Sequence, residues 1–454
     1  MVSFKLFRFV PVALLAVWTA ACTGFGPTTG LFRSPSPHDQ YGQSLKAAKL
    51  DQTALGADWL AAGERALHDS LKITVPYRES GYFSASKAFA VGYRLDAQRG
   101  DRFLVRVETQ GQKPVQVFID VVALESRNQI TPVAASKADT NELVWEPKRN
   151  QTYLIRIQSE LLRSGRYTIS ITREPALSFP VLGHDSRQIS SYFGVPRDGG
   201  RRRHEGVDIF APKGTPAIAA VNGVVTGVGT SPLGGNFAFV SDNDRNIRLY
   251  YAHLDRWNVT NGQRVSVGDT IGFVGNTGNA RTTGPHLHFG IYGFDEGATD
   301  PLPFIRLGRG PAKQPLLSAT QLGDSIRVTA ALTALRPAPT ADAPVLRQLA
   351  KSSSLTLVGG TATWLRVELP DGLTGYVASS AVEPAIRPLR TLKLSIPSIL
   401  RDAADAMAAT IDTLPTGSSL DVLAIAGSFL LVRLADGQTG WLSTGGSSVG
   451  EVRR

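Results

Sequence analysis

Leucines at 45, 50, 55, 60, 67 and 71 recur among polar residues with a loosely helical spacing, which predicts a helix over 42–72. From residue 73 to about 178 the period changes to two. Phe103, Val105 and Val107 alternate with Arg102, Arg106 and Glu108, and Val115, Val117, Ile119 and Val121 continue the pattern. Two further runs, Tyr153-Ile155-Ile157 and Tyr167-Ile169-Ile171, flank Ser164-Gly165-Arg166, a composition that predicts a turn between them. Alternation of this kind gives each strand one buried and one wet face, so 73–178 is expected to be an antiparallel β-sandwich. Strand-like runs continue through 179–305. There, residues 215–221 and Val224-Val225 around Asn222-Gly223 predict a hairpin with a two-residue turn. Gly268-Asp269 and residues 275–278 read as turns, and Gly284-Pro285 sets the entry to a last strand. Residues 306–322 read as a linker.

The C-terminal part contains an internal repeat at an offset of 65 residues, without a gap. Leu335 falls on Leu400, Leu349 on Leu414 and Leu355 on Leu420. The run Trp364-Leu365-Arg366-Val367 falls on Phe429-Leu430-Leu431-Val432, and Gly375-Tyr376-Val377 on Gly440-Trp441-Leu442. Asp371-Gly372 and Asp436-Gly437 separate strand-like runs in both copies, which signals a hairpin. The two copies, 323–385 and 388–449, resemble bacterial SH3-like barrels, modules that commonly bind cell-wall peptides; passive spacers are the other reading. The expected fold class is therefore mainly β: an N-terminal helix, a β-sandwich, an antiparallel β domain and two small SH3-like barrels.

Composition narrows the functional classes. At 42% hydrophobic and 19% charged, the chain is an ordinary folded protein and not a disordered one. Its net charge of +10 favours anionic partners, but no aromatic–basic interleaving or long Lys/Arg tract points to nucleic acid. Lys5 and Arg8 precede an apolar run of 13 residues, 9–21, too short for a permanent membrane span and suited to an export signal. The run ends in small residues before Cys22, the one cysteine of the chain. This segment, 1–22, resembles a bacterial lipoprotein signal, which implies lipidation of Cys22 and attachment to a membrane. The expected location is the cell envelope, at an outer membrane facing the periplasm or the surface. Residues 23–41, rich in Gly, Pro, Ser and Thr, then form a tether.

Chemistry concentrates in four of the seven histidines. His204-Glu205-Gly206-Val207-Asp208 contains a glycine that argues against a helix; in an extended chain His204 and Asp208 share one face. In His286-Leu287-His288-Phe289 alternation puts both imidazoles on one face and the apolar pair on the other. His253 follows Tyr250-Tyr251-Ala252, at the expected end of a strand. Imidazole and carboxylate are both good zinc ligands, and a catalytic zinc takes three protein ligands with one position open. Five candidates leave two groups over for proton transfer, which favours a catalytic site over a closed structural one.

Residues 189–293, with HEGVD, YYAHL and GPHLHFGIY in order, resemble the lysostaphin-type (LytM) peptidoglycan metalloendopeptidases. The resemblance implies Zn2+ held by His204, Asp208 and His288. It also implies His253 and His286 as catalytic histidines that do not ligate the metal. Which of the two is the general base stays open, His286 being favoured by its place beside His288. The implied activity is hydrolysis of peptide cross-links in peptidoglycan. The rival is a catalytically silent wall-bound scaffold acting on other cell-wall hydrolases. Arg201, Arg202 and Arg203 form a basic stretch just before His204, read either as a lip for stem-peptide carboxylates or as a solvated loop. Asn236 and Tyr251 are further candidates for the substrate groove.

Overall fold

The structure is a computed structural model that describes residues 34–294, 296–308, 310–315 and 321–444. Cys22 and the expected signal segment lie outside the described residues. Mainly β architecture is observed. The helical span expected over 42–72 is instead two helices, Pro37–Ala47 and Ala54–His68, the first of which takes in residues 37–41 of the expected tether. Lys49 takes a left-handed conformation (φ 58°) between them, and the Thr53 hydroxyl caps the second helix by accepting from the Gly56 amide. A Cβ at Gly56 would stand 2.0 Å from the Leu50 carbonyl oxygen, so only glycine lets this turn close. Among the described residues no helix is long and apolar enough to cross a membrane.

The next region packs two sheets face to face. One orders Leu71–Lys72, Ala90–Ala97, Gln151–Ser159, Val117–Leu124 and Ile130–Ala135; the other contains Tyr77–Phe83, Gly165–Pro175, Asp101–Gln110 and Glu142–Trp145. Val105, Ile119, Ile155, Ile157, Ile169 and Ile171 meet in the core between them. The Tyr153 and Tyr167 runs therefore belong to opposite sheets. The turn expected at 164–166 is part of a crossover, because each run finds its hydrogen-bonding partners among other strands.

The second sheet does not end with this region. Its edge strand Tyr77–Phe83 pairs with Ser354–Gly360 of the first C-terminal unit, so one sheet runs through both. Buried Glu79 secures the junction. It accepts from the hydroxyls of Tyr77 (2.6 Å), Tyr93 (3.2 Å) and Tyr376 (3.3 Å), and pairs with Arg366 at 3.1 Å. The repeat is borne in equivalent packing: Leu335 and Leu400, Leu355 and Leu420, and Val367 and Val432 are all buried. Gly372 and Gly437 are both left-handed in the loops of matching hairpins, loops longer than a two-residue turn. The ladders of both SH3-like units run as open paths.

A ten-stranded antiparallel sheet positions the histidines, in the main order Ile189–Ser191, Val207–Phe210, His286–Gly293, Ile247–Trp257, Gly235–Asp242, Gly223–Ser231 and Arg264–Val265. Val207, Ile209, Leu249, Tyr251, Leu287, Phe289 and Ile291 point to its buried face. The hairpin expected at Asn222-Gly223 does not form: Pro216–Ile218 pairs with Thr270–Val274, whereas Gly223–Ser231 pairs with Gly235–Asp242. Asn222 instead accepts from the Val267 amide (2.9 Å) through its side chain, which holds the chain as it passes between ladders. The sandwich docks at one end of this sheet, where Arg245 grips Glu146 with two hydrogen bonds of 2.8 Å. That end carries the Ile247–Gly293 pair, five rungs from the Ala252–His288 pair, a separation of roughly 17 Å at about 3.3 Å per residue.

Candidate metal centre

Register brings the first two groups together. Asp208 lies directly opposite His288 across the antiparallel ladder, and Phe210 opposite His286, while Val207, Ile209, Leu287 and Phe289 anchor the same strands in the core. His204 arrives differently from the extended geometry expected of it. The strand begins only at Val207, and the chain bends through 204–206. That bend is held by the Gly194 amide donating to the His204 carbonyl (2.8 Å) and the His204 amide to that of Val195 (2.9 Å). A Cβ on Gly206 would lie 2.5 Å from the Phe289 carbonyl oxygen and 2.8 Å from His288 Nε2, so glycine is required for the backbone to approach the ring.

The result is a triangle of acceptors. His204 Nε2, His288 Nδ1 and Asp208 Oδ1 stand 3.0 Å from one another. His204 Nδ1 lies 2.9 Å from the Tyr192 carbonyl oxygen, which can only accept. Its proton is therefore on Nδ1, and Nε2 turns a lone pair to the centre. Three acceptor atoms facing one point fit a cation. Tetrahedral ligands at about 2.0–2.1 Å from zinc are about 3.3 Å apart, close to the separation seen. Among the described residues these three form the one such group. Burial opposes the charge on Asp208, but the imidazoles of His204 and His288 beside it outweigh burial and hold the carboxyl well below the usual range. Burial also pushes the His288 pKa down, against the pull of Asp208.

Two further imidazoles border the triangle. His286 donates from Nδ1 to the Gly284 carbonyl (2.8 Å), leaving Nε2 bare and 3.9 Å from Asp208 Oδ1; its ring stacks on Phe210. His253 sits inside the Ile247–Trp257 strand and not at its end. It is left-handed (φ 60°) at a bulge, where the partner register shifts between Asn236 and Ala238. Plain alternation after Tyr251 would aim residue 253 into the core. The bulge turns it to the face of Ala252 and leaves Leu254 buried. His253 then donates from Nδ1 to the Thr277 carbonyl (2.9 Å), and its ring centroid is 5.0 Å from that of His286. Burial first, then His288 and His286, push its pKa down to about 4.

The remaining candidates divide. Tyr251 is not a groove residue: it is fully buried, and its hydroxyl accepts from the Ala220 amide at 2.9 Å. Tyr250, one place earlier, faces the site, 5.9 Å from the His288 ring and stacked on Phe239, with Tyr292 beyond. Period two outward from His288 and away from buried Tyr251 would have found this aromatic row. The Asn236 amide is taken up by the Asp255 carbonyl and the Thr230 hydroxyl, each at 2.9 Å. Arg202 and Arg203 form a short ribbon with Pro196–Arg197, leading straight into His204. All of Arg201, Arg202 and Arg203 are exposed, and Arg202 pairs with Asp198 at 2.6 Å. Arg197 itself reaches Asp208.

Fold and site together place three groups that could hold a metal beside two further imidazoles, on one face of an antiparallel sheet. Residues 202–301 match the model of Peptidase family M23 and residues 330–383 that of the Bacterial SH3 domain; the chain thus carries an M23 (LytM-type) domain and a bacterial SH3 domain. Peptidoglycan DD-endopeptidase ShyC of Vibrio cholerae is 41% identical over 109 residues, 23% of this chain and 24% of that one. L-Ala--D-Glu endopeptidase of Bacillus subtilis is 40% identical over 140 residues, 28% of this chain and 43% of that one. Among solved structures, the catalytic domain of lysostaphin from Staphylococcus simulans is 34% identical, over 29% of this chain and 91% of that one, with a TM-score of 0.23. The chain spans less than a third of the length of the first curated relatives it matches.

Proposed function

We propose that this protein is a zinc-dependent endopeptidase that hydrolyses peptide cross-links of bacterial peptidoglycan. The observation that carries this reading is the acceptor triangle of His204, Asp208 and His288, bordered by two imidazoles whose Nε2 atoms are bare. When bound there, zinc supplies Lewis acidity and a nucleophile at neutral pH. The protein's own groups do the rest. Backbone carbonyls of Gly284 and Thr277 fix the tautomers of His286 and His253, so each presents an acceptor to the site. His286, with Nε2 next to the triangle, takes the proton of the attacking water. The proton taken up in the attack is the one the leaving amine then receives, with His253 Nε2, bare and beside His286, as its carrier. The aromatic row of Tyr250, Phe239 and Tyr292 floors the groove beside His288, and Arg201, Arg202 and Arg203 border it with positive charge.

The named activities of the relatives support the reading: one is a peptidoglycan DD-endopeptidase and another an L-Ala--D-Glu endopeptidase. We assign 73–178 as an accessory sandwich and 323–385 and 388–449 as wall-binding units. The chain is read as exported and lipid-anchored at Cys22, in the cell envelope. The test is digestion of purified peptidoglycan. New amino groups should appear, vanish on chelation and return with zinc, and product masses identify the bond cut. Zinc-loaded protein that releases none would remove the proposal.

A further inference from the structure

We infer that Arg197 is a positioning residue that orients two of the three metal ligands from outside; this rests on the metal reading above. Asp208 has two oxygens with separate tasks. Oδ1 belongs to the triangle, whereas Oδ2 accepts from Arg197 Nη2 at 2.7 Å. The same Nη2 donates to the Ser191 hydroxyl at 2.6 Å. Ser191 in turn stands 3.3 Å from His204 Nδ1, the nitrogen that carries the ring proton, and lies opposite Asp208 in the sheet, just past a register shift. One guanidinium therefore holds Asp208 directly and His204 through Ser191.

Geometry explains why the carboxylate needs this. A carboxylate anchored at neither oxygen rotates freely about its last bond and can offer either oxygen, or both, to a metal. Tying Oδ2 leaves Oδ1 as the single ligand atom and fixes its direction toward the imidazoles. Arginine suits the task because its planar fork keeps a fixed geometry against oxygen acceptors, which a lysine ammonium does not. Arg197 is also placed by the chain's own order. The Pro196–Arg197 strand forms a ribbon with Arg202–Arg203, and the next residue is His204, so clamp and ligand sit on one short loop. The opposing reading is an ordinary half-exposed ion pair, screened by solvent, which contributes little to folding and nothing to metal binding.

The two readings separate on metal affinity. Zinc binding by the full chain is measured by competition with a chromophoric chelator for the unaltered protein, Arg197→Ala, Arg197→Lys and Ser191→Ala, with thermal melts of the metal-free proteins alongside. Arg197→Ala should weaken zinc binding about tenfold to a hundredfold while the metal-free melt stays near that of the unaltered protein. Arg197→Lys should recover part of the loss, and Ser191→Ala should lose less than Arg197→Ala. Zinc affinity unchanged in both Arg197 variants would overturn this inference alone. Absence of zinc binding by the unaltered protein would overturn the metal reading and this inference with it.

Discussion

Two buried polar clusters in this protein have similar ingredients and opposite logic. Around His38 every donor meets an acceptor. The imidazole bonds Gln158 Oε1 and Arg156 Nη2, each at 2.8 Å; Gln158 donates to the Trp59 carbonyl at 2.8 Å; and Arg156 pairs with Asp120 at 2.7 Å. The ring also stacks on Trp59. The network is closed, and its work is to pin the helix Pro37–Ala47 to the sandwich. At His204, Asp208 and His288 three ligating atoms stand 3.0 Å from one another, and with the His204 proton held on Nδ1 its Nε2 meets the Asp208 carboxylate acceptor to acceptor. A buried histidine is thus not itself a sign of function. A buried histidine whose neighbours offer the wrong half of a hydrogen bond is one.

Removing side chains from each cluster should separate the two. The largest effect belongs to His286→Ala and His253→Ala, each expected to lower kcat on peptidoglycan on the order of a hundredfold or more, with zinc content unchanged. Near-normal turnover in both would end their assignment as proton carriers. On the closed side, His38→Ala strips Arg156 and Gln158 of a partner and should cost about 1–3 kcal/mol in denaturant unfolding. Its kcat should stay intact, and a stability equal to that of the unaltered protein would show the network to be idle.

The smallest effect is one of pH. Burial, with Arg156 adding to it, holds the His38 pKa below its ordinary value of 6.5. The unfolded chain therefore takes up a proton that the folded chain refuses. The contribution to stability is fully present above pH 6.5 and declines as pH falls below it, by at most about 1.4 kcal/mol per unit. Urea unfolding at pH 7.5 and 5.5 should show this slope in the unaltered protein and a shallower one in His38→Leu. Equal slopes would remove His38 as its source.

Sequence pattern reached Asp208, His286 and His288 as neighbours because their placement is set by strand alternation and pairing. His286 and His288 share a face by period two, and Asp208 meets His288 by direct register. Where the backbone leaves regular geometry, pattern misled. His204 converges through a bend and not along a strand, and His253 sits at a left-handed bulge inside its strand and not at the strand's end. Tyr251 is expected at the groove, whereas the neighbouring Tyr250 faces the histidines, a one-residue phase error that a period-two element turns into the opposite face. Long-range pairing was out of reach altogether. Nothing local indicates that the Tyr153 and Tyr167 runs enter different sheets, or that Ser80 and Gly81 pair with Gly360 and Gly359. The repeat was legible because the same buried leucines recur at a fixed offset.

Zinc K-edge absorption spectroscopy on the purified full chain, alongside metal quantification, tests the acceptor triangle most directly. The expected result is one zinc per chain, bound by two imidazole nitrogens and one carboxylate oxygen with the remaining position filled from solvent, and lost in Asp208→Ala. A chain that retains no metal, or a spectrum with a fourth protein ligand closing the sphere, would contradict it.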